Sequence, residues 1–217
     1  MTVKIPESLV RAGMLIGDEW VEADGRATIE VENPSRREPL ATVPRGGAAD
    51  VDRAVAAATA AFPAWRALPA RDRGLLLGRI ADDLADIGEE LARIIAAETG
   101  NAIRTQARGE AATSADVFRY FGGVAGEQKG EVLPLGATML SYSVREPLGV
   151  VAAIVPWNAP VLLASLKVAM ALCTGNTLVL KPAEDAPLGV LRMAEVCAQH
   201  LPEGVLNVVT GYGEECG

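Results

Sequence analysis

Three short segments in the second half of the chain carry side chains that could bind or stabilise a charged ligand. Each segment directly follows a predicted β-strand, and in an open parallel sheet ligands bind beyond the carboxyl ends of the strands. The segments are Pro156-Trp157-Asn158-Ala159-Pro160, Lys181-Pro182-Ala183-Glu184 and Gly211-Tyr212-Gly213-Glu214-Glu215-Cys216-Gly217. These residues form the candidate functional site.

The side chain of Asn158 is open to two interpretations. Its amide could donate hydrogen bonds to an oxygen that becomes negative during a reaction, which is the role of an oxyanion-hole residue. It could also cap the helix that is predicted to begin directly after it, since Asn is among the preferred N-cap residues. The spacing alone favours the cap. The glycine-rich loop of an ordinary dinucleotide fold is absent, because Pro156, Trp157 and Asn158 stand in its place.

Lys181 and Glu184 are three residues apart after the second predicted strand and could converge on a sugar. The ammonium group would donate hydrogen bonds to hydroxyl groups, and the carboxylate would accept them. A carboxylate at this position would also repel a 2′-phosphate, which favours NAD over NADP. The alternative is a solvated charge pair at the start of a helix, which the sequence alone favours. The glycine spacing from Gly211 to Gly217 permits close approach to a ligand but is weak evidence.

Cysteine and histidine offer little further chemistry. The chain has three cysteines and one histidine, too few for a disulfide framework, and no pair has metal-ligand spacing. We therefore expect reduced thiols and no metal. No pattern pairs His200 with a thiol, so Cys173, Cys197 and Cys216 are all interpreted as structural residues rather than nucleophiles.

Hydrophobic periodicity predicts that the first half of the chain is mostly helical, after two short β-like runs. Gly100 is predicted to end the second helix. From residue 129 to 146, apolar and polar residues alternate as in a strand with one face against a partner, and we interpret this segment as a β arm. The other predicted elements are a hairpin over 14–21 and 27–34, and helices over 51–62, 76–94 and 104–121.

Beyond Gly149, short β-branched runs alternate regularly with helical patterns. Near-continuous apolar strands joined by helices predict a parallel sheet, and three such strands make one mononucleotide-binding half of a doubly wound α/β fold. The sequence therefore predicts an α/β protein with a helical amino-terminal region, a β arm and an incomplete doubly wound sheet. The β-α-β-α-β elements are predicted over residues 150–155, 162–172, 177–180, 188–200 and 206–209.

Composition narrows the possible partners. Half of the 217 residues are hydrophobic, enough for a substantial core, and the formal net charge of −8 argues against a nucleic-acid partner. The amino terminus has no apolar run after a basic start, and the apolar stretch over 161–173 is interrupted by Lys167 and is too short to span a bilayer. We therefore expect a cytoplasmic protein with no membrane contact.

Taken together, the motifs resemble those of the aldehyde dehydrogenase superfamily, and the resemblance runs in order along nearly the whole chain. Pro-Trp-Asn followed at this distance by Lys-Pro-x-Glu is its most specific part. The matching segments are Ile16-Gly17-Asp18-Glu19-Trp20-Val21, Glu32-Asn33-Pro34, Ala61-Phe62-Pro63-Ala64-Trp65, Glu98-Thr99-Gly100-Asn101, Tyr120-Phe121-Gly122-Gly123, Lys129-Gly130-Glu131, Glu146-Pro147-Leu148-Gly149-Val150-Val151, Pro156-Trp157-Asn158, Gly175-Asn176-Thr177, Lys181-Pro182-Ala183-Glu184 and Pro202-Glu203-Gly204-Val205-Leu206-Asn207.

The resemblance implies a role for each matching position. Asn158 becomes the catalytic residue that helps to hold the oxyanion, which replaces its interpretation as a cap. Lys167 matches a frequent family lysine with a potential contribution to a proton relay. The arm over 129–147 is similar to the family's oligomerisation region, so a homo-oligomer is implied. The resemblance also implies that residues 1–128 contain the amino-terminal hairpin and the helical part of the cofactor domain. Residues 148–217 would form the first half of its NAD-binding sheet. The implied NAD contacts are Ile154, Pro156, Trp157, Asn158, Lys181, Pro182, Ala183, Glu184, Gly213 and Gly217.

The implied reaction is oxidation of a small aldehyde to a carboxylic acid through a cysteine thiohemiacetal and a thioester, with hydride transfer to NAD. We expect the nucleophilic cysteine and the catalytic glutamate of the family to lie beyond Gly217, together with the catalytic domain. Two alternatives stay open. One is a nucleotide-binding or subunit-contact module without catalysis, and the other is an acylating enzyme that passes the acyl group to coenzyme A.

Overall fold

The computed structural model describes residues 13–217, and it consists of a five-stranded sheet, two small hairpins and seven α-helices. The strands are β1 (Met14–Ile16), β2 (Glu19–Val21), β3 (Thr28–Asn33), β4 (Glu38–Pro44), β5 (Val132–Leu133), β6 (Ser141–Tyr142), β7 (Val150–Ile154), β8 (Thr177–Lys181) and β9 (Leu206–Val208). The helices are α1 (Ala48–Ala67), α2 (Ala70–Asp86), α3 (Gly88–Thr99), α4 (Arg108–Val124), α5 (Pro160–Cys173), α6 (Leu188–Ala198) and α7 (Gly213–Cys216).

The predicted β-α-β-α-β unit is confirmed. β7, β8 and β9 are parallel neighbours, and α5 and α6 are the crossovers between them. All five residues of β8 are buried, as expected for an inner strand, here between β7 and β9, of a sheet covered on both faces. The fold class is therefore α/β with half of a doubly wound sheet.

The predicted hairpin between residues 14–21 and 27–34 is wrong, because each run pairs with a different partner. β1 and β2 form their own tight hairpin through Gly17, whose φ of +70° is in the left-handed region that glycine favours. β3 pairs instead with β4 in a separate two-stranded sheet. β1 also joins the main sheet antiparallel to β9, with Leu15 opposite Val208.

The helical region differs in detail from the sequence prediction. The run over 76–94 is divided between α2 and α3, which meet at Ile87. Gly100 ends α3 with a φ of +76°, which confirms the predicted stop. The third predicted helix begins with a π-helical turn over Ile103–Ala107 and continues as α4 to Val124.

The β arm is a short antiparallel hairpin rather than one long strand. β5 and β6 pair with Val132 opposite Tyr142. Leu140, Tyr142 and Val144 are all exposed, so no other part of residues 13–217 buries these alternating apolar side chains. The arm therefore presents apolar surface to solvent.

One hydrophobic cluster joins the helical region to the sheet, and it includes Leu15, Leu77 and Leu178. Residues from both halves of the chain thus share a core. Among the described residues, no helix combines the length and apolar character that crossing a bilayer requires. Residues 1–7, where a targeting segment would begin, lie outside the described part of the chain.

Candidate functional site

The carboxyl ends of the parallel strands bring the three predicted segments to one edge of the sheet. Ile154 and Lys181 are partners in the register of β7 and β8, and the N–H of Val155 donates to the carbonyl of Lys181 at 3.1 Å. The N–H of Val209 donates to the carbonyl of Leu180 at 2.9 Å, which brings the end of β9 alongside. The convergence predicted from the strand order is therefore present.

Lys181 is buried at the end of β8 and forms an ion pair with Glu184. Its side chain is only 7% exposed, and its Nζ donates to Glu184 Oε2 and to the carbonyl of Pro182, both at 3.0 Å. Partial burial raises the pKa of Glu184, but hydrogen bonds from its own backbone and from Lys181 outweigh burial, so the pKa lies below its ordinary value. The alternative of a solvated charge pair is therefore wrong for the lysine.

The carboxylate of Glu184 stays accessible although the lysine beneath it is buried. About one third of the Glu184 side chain is exposed, at 33%. Lys181 therefore anchors a negative, hydrogen-bond-accepting group at the mouth of the strand ends. Such a carboxylate can accept hydrogen bonds from hydroxyl groups of a ligand and would repel an anionic group placed at the same point.

Asn158 does not cap the helix that follows it. The residue at the N-cap of α5 is Ala159, and no side chain caps the helix locally. The exposed side-chain amide of Asn158 makes no hydrogen bond to any described residue, whereas its backbone carbonyl accepts one from Asn101 Nδ2 at 3.1 Å. The amide is therefore available to a ligand, as an oxyanion-hole residue requires.

Two buried glutamates, which sequence reasoning missed, supply the caps of the crossover helices. Glu110 Oε1 accepts hydrogen bonds from the N–H groups of Val161 at 2.9 Å and Leu162 at 3.3 Å, at the start of α5. Glu98 does the same for Leu188 and Gly189 at the start of α6, at 2.6 and 2.9 Å. The available signal was the lack of a Ser, Thr, Asp or Asn at either N-cap, where Ala159 and Pro187 stand.

Burial dominates the electrostatics of both caps. It raises the pKa of Glu98 to about 8, although hydrogen bonds from Gly189 and Leu188 act in the opposite direction, and the nearby Glu110 raises it further. Burial also raises the pKa of Glu110, against hydrogen bonds from Leu162 and Val161. These carboxyl groups lie beneath the helix starts, so their role in the structure is to hold backbone rather than to meet a ligand.

The observation that decides the family is a match along almost the whole described chain. A sequence model of the aldehyde dehydrogenase family matches residues 20–217. The chain belongs to the aldehyde dehydrogenase family. Phenylacetaldehyde dehydrogenase from Pseudomonas fluorescens is 44% identical over 213 residues, which cover 94% of this chain and 42% of that protein. The chain thus spans about two fifths of the length of that relative.

Solved aldehyde dehydrogenase structures have the same fold over this region. PnpE from Pseudomonas sp. WBC-3, in complex with nicotinamide adenine dinucleotide, superposes with a TM-score of 0.92 at 45% identity and covers 95% of this chain and 42% of its own. An NADP-dependent enzyme from E. coli superposes with a TM-score of 0.94 at 35% identity, over 98% of this chain and 45% of its own.

The remaining predicted cofactor contacts of this aldehyde dehydrogenase chain surround the same edge. Ile154, Pro156 and Trp157 are exposed, with 57% of Trp157 accessible, whereas Pro182 is buried and Ala183 is half-buried. Lys167 is exposed on α5. The last loop places Gly213 and Gly217, both exposed, at the two ends of α7, which Arg45 holds by an ion pair with Glu215.

The three cysteines lie in surroundings that suit structural residues rather than nucleophiles. Cys173 and Cys197 are buried in the core, and burial raises the pKa of both. Cys216 is half-buried. Burial raises its pKa, and the nearby Lys181 has a smaller opposing effect, so the pKa of the thiol lies above its ordinary value. His200 Nε2 contacts Asp83 Oδ2 at 2.6 Å and thus has a partner other than a thiol. Among residues 13–217, no cluster of His, Cys, Asp and Glu is arranged to hold a metal.

Proposed function

We propose that this chain supplies the first half of the cofactor site and one oxyanion-hole residue of an NAD-dependent aldehyde dehydrogenase. The observation that carries the proposal is the buried Lys181, which holds the accessible carboxylate of Glu184 at the strand end next to the one that the exposed amide of Asn158 follows. Both groups lie at the carboxyl ends of adjacent parallel strands, which is where doubly wound folds bind nucleotides. PnpE, which has this fold, binds NAD, and that supports the choice of cofactor.

The residues of the chain divide the binding task. The carboxylate of Glu184 accepts hydrogen bonds from ribose hydroxyl groups, and Lys181 Nζ fixes its position and adds a donor. Ile154, Pro156 and Trp157 give an apolar wall to the cleft. Asn158 donates its amide hydrogens to the substrate oxygen that becomes negative when a thiolate adds to the aldehyde carbon. NAD, when bound, would supply the hydride acceptor for the oxidation.

A non-catalytic nucleotide-binding role is a second candidate, and the placement of the thiols favours it for this chain alone. Cys173 and Cys197 are buried, and no residue of the described chain holds Cys216 as a base-activated nucleophile. The arm adds a possible subunit contact, since it exposes Met139, Leu140 and Tyr142. We propose that the arm pairs with another copy in a homo-oligomer, as apolar patches at interfaces do.

Calorimetric titration with NAD tests the proposed site. Glu184→Gln keeps the shape of the side chain but removes its charge, and Lys181→Met keeps the apolar stem without the ammonium. Each change is expected to weaken NAD binding by roughly ten- to a hundredfold, because hydrogen bonds to charged groups contribute about 1.5–3 kcal/mol. Lys129→Ala, an exposed lysine on the arm, is the matched control and should bind as the unaltered chain does. Absence of binding by the unaltered chain would overturn the nucleotide-binding role.

The charge of Glu184 also predicts a preference between the two cofactors. The unaltered chain should bind NAD more tightly than NADP, because the carboxylate repels the 2′-phosphate. Glu184→Gln should reduce this preference by about tenfold, an effect of the order of 1.4 kcal/mol. Parallel titrations of both proteins with both cofactors measure the ratio. An unchanged ratio would place the 2′-position away from Glu184.

A further inference from the structure

The turn Glu98-Thr99-Gly100-Asn101 contacts the loop that carries Asn158 and the start of α6, the helix that follows Glu184. Glu98 and Thr99 are the last two residues of α3, and Gly100 then adopts a φ of +76° and reverses the chain. From this turn, Glu98 reaches the start of α6 and Asn101 reaches the loop between β7 and α5. The proposed binding role uses neither residue directly, although the turn lies among the segments that mark the family.

Asn101 is itself held in place by its neighbours. Thr99 Oγ1 donates to the carbonyl of Ile95 at 2.6 Å and accepts the backbone N–H of Asn101 at 3.1 Å. The side-chain Nδ2 of Asn101 then donates to the carbonyl of Asn158 at 3.1 Å. A chain of hydrogen bonds therefore runs from the rigid interior of α3 to the backbone of Asn158.

The loop between β7 and α5, which carries Asn158, has few other hydrogen bonds that restrain it. Pro156, Trp157 and Asn158 are all exposed, and the next polar restraint along the chain is Glu110, which holds Val161 and Leu162 at the start of α5. Glu110 fixes the helix, but four residues separate β7 from Ala159 at the helix N-cap, and the last three of them are exposed. The contact from Asn101 lies within that gap.

We propose that Asn101 is a positioning residue for Asn158: its hydrogen bond to the carbonyl of Asn158 orients the peptide that carries the oxyanion-binding amide. From the same turn, Glu98 fixes the start of α6, which begins four residues after Glu184. The functional consequence of this inference rests on the proposed function, but the positioning itself does not.

Order parameters of the backbone amides, measured by NMR relaxation on the 217-residue chain, test the role of Asn101. Asn101→Asp is nearly isosteric but removes the donor, Asn101→Ala removes the side chain, and Asn101→Gln retains an amide. Order parameters of Trp157 and Asn158 are expected to fall from about 0.85 to below about 0.6 in the Asp and Ala variants and to recover in the Gln variant. Those of Lys181 and Glu184 should not change. Thr105→Ala, an exposed change in the same segment, is the control.

The outcomes separate positioning from a general effect on stability and from the proposed function. Unchanged order at Asn158 in both the Asp and Ala variants overturns the role of Asn101, even if the unaltered chain binds NAD. Loss of order that extends equally to Lys181 and Glu184, with a lower melting temperature, also overturns it, because the residue then acts only on stability. Loss of order confined to Trp157 and Asn158 supports the role, whether or not the unaltered chain binds NAD.

Discussion

Gly74→Ala is expected to lower the free energy of unfolding by about 3 kcal/mol, at the upper end of what overpacking usually costs. A Cβ atom built on Gly74 would lie 2.4 Å from the carbonyl oxygen of Gly122, and one built on Gly122 would lie 2.8 Å from the carbonyl oxygen of Gly74. The obstacle in both cases is backbone, which has no rotamer to change. Helices α2 and α4 can approach this closely only because both positions lack a side chain.

The same two helices supply matched controls. A Cβ on Gly78 of α2 or on Gly123 of α4 would meet nothing within 4 Å. Gly78→Ala and Gly123→Ala should therefore stabilise the chain by up to about 1 kcal/mol, since alanine has the higher helix propensity. Urea unfolding of the three variants, Gly74→Ala, Gly78→Ala and Gly123→Ala, gives the comparison, provided that the slopes are equal. If Gly74→Ala and Gly78→Ala changed stability equally, the close contact between the helices would not exist.

This contact matters for the candidate site because α4 carries Glu110. The carboxylate of Glu110 reaches the start of α5 directly after the Asn158 loop, so a displacement of α4 away from α2 would be transmitted to that loop. We therefore expect Gly74→Ala to weaken NAD binding in the folded fraction as well. Packing deep in the helical region and geometry at the strand ends are linked through one buried carboxylate.

The parallel part of the fold was predictable because its signal is local. Each of the strands β7, β8 and β9 is a short apolar run, and each crossover has its own helical periodicity. Gly100 was predictable as a helix end for the same reason, since a left-handed residue after a helix favours glycine. Convergence of the three candidate segments followed from the strand order alone.

The errors concern contacts between residues far apart in the sequence. β1 is only three residues long, and its place beside β9 depends on Leu15 meeting Val208, which no periodicity records. Asn158 satisfied the local rule for a cap, but the carboxylate of Glu110, which is 51 residues from Val161 in the sequence, caps the helix instead. N-cap preferences describe which residue suits the position when no residue distant in sequence contacts the helix start. In a packed core, such a distant side chain often makes that contact.

Glu98 predicts the second large effect: the stability of the chain should fall as the pH rises from about 5 to about 8. The pKa of this carboxyl is raised to about 8 in the folded chain, with burial as the main cause, above the ordinary value of 4.5 that it regains on unfolding. The folded state therefore binds more protons in this window, and its stability decreases with pH by up to about 1.4 kcal/mol per unit. The contribution is fully present below the unfolded pKa and is lost as the pH passes the folded one.

Glu98→Gln should remove the part of this dependence that Glu98 contributes, because the amide keeps an oxygen for one of the two helix N–H groups and does not titrate. The measured quantity is the difference in unfolding free energy between the unaltered chain and the variant across the pH range, which cancels the other titrating groups. Should the variant fail to fold, the carboxyl ¹³C shift of Glu98 in the unaltered chain reports the same pKa. A carboxyl that titrates near 4.5 would contradict the prediction.

Glu89→Gln is the matched control on the same helix, with the opposite sign. Hydrogen bonds from Arg108 are the main reason why the pKa of Glu89 is lowered to about 2; desolvation opposes them, and Arg93 adds to the lowering. Its contribution is present above the unfolded pKa and disappears as the pH falls towards 2, so the Glu89→Gln difference should stay flat from pH 5 to 8. Two glutamates on one helix would then titrate on opposite sides of their ordinary value, because one is buried beneath α6 and the other is exposed between two arginines.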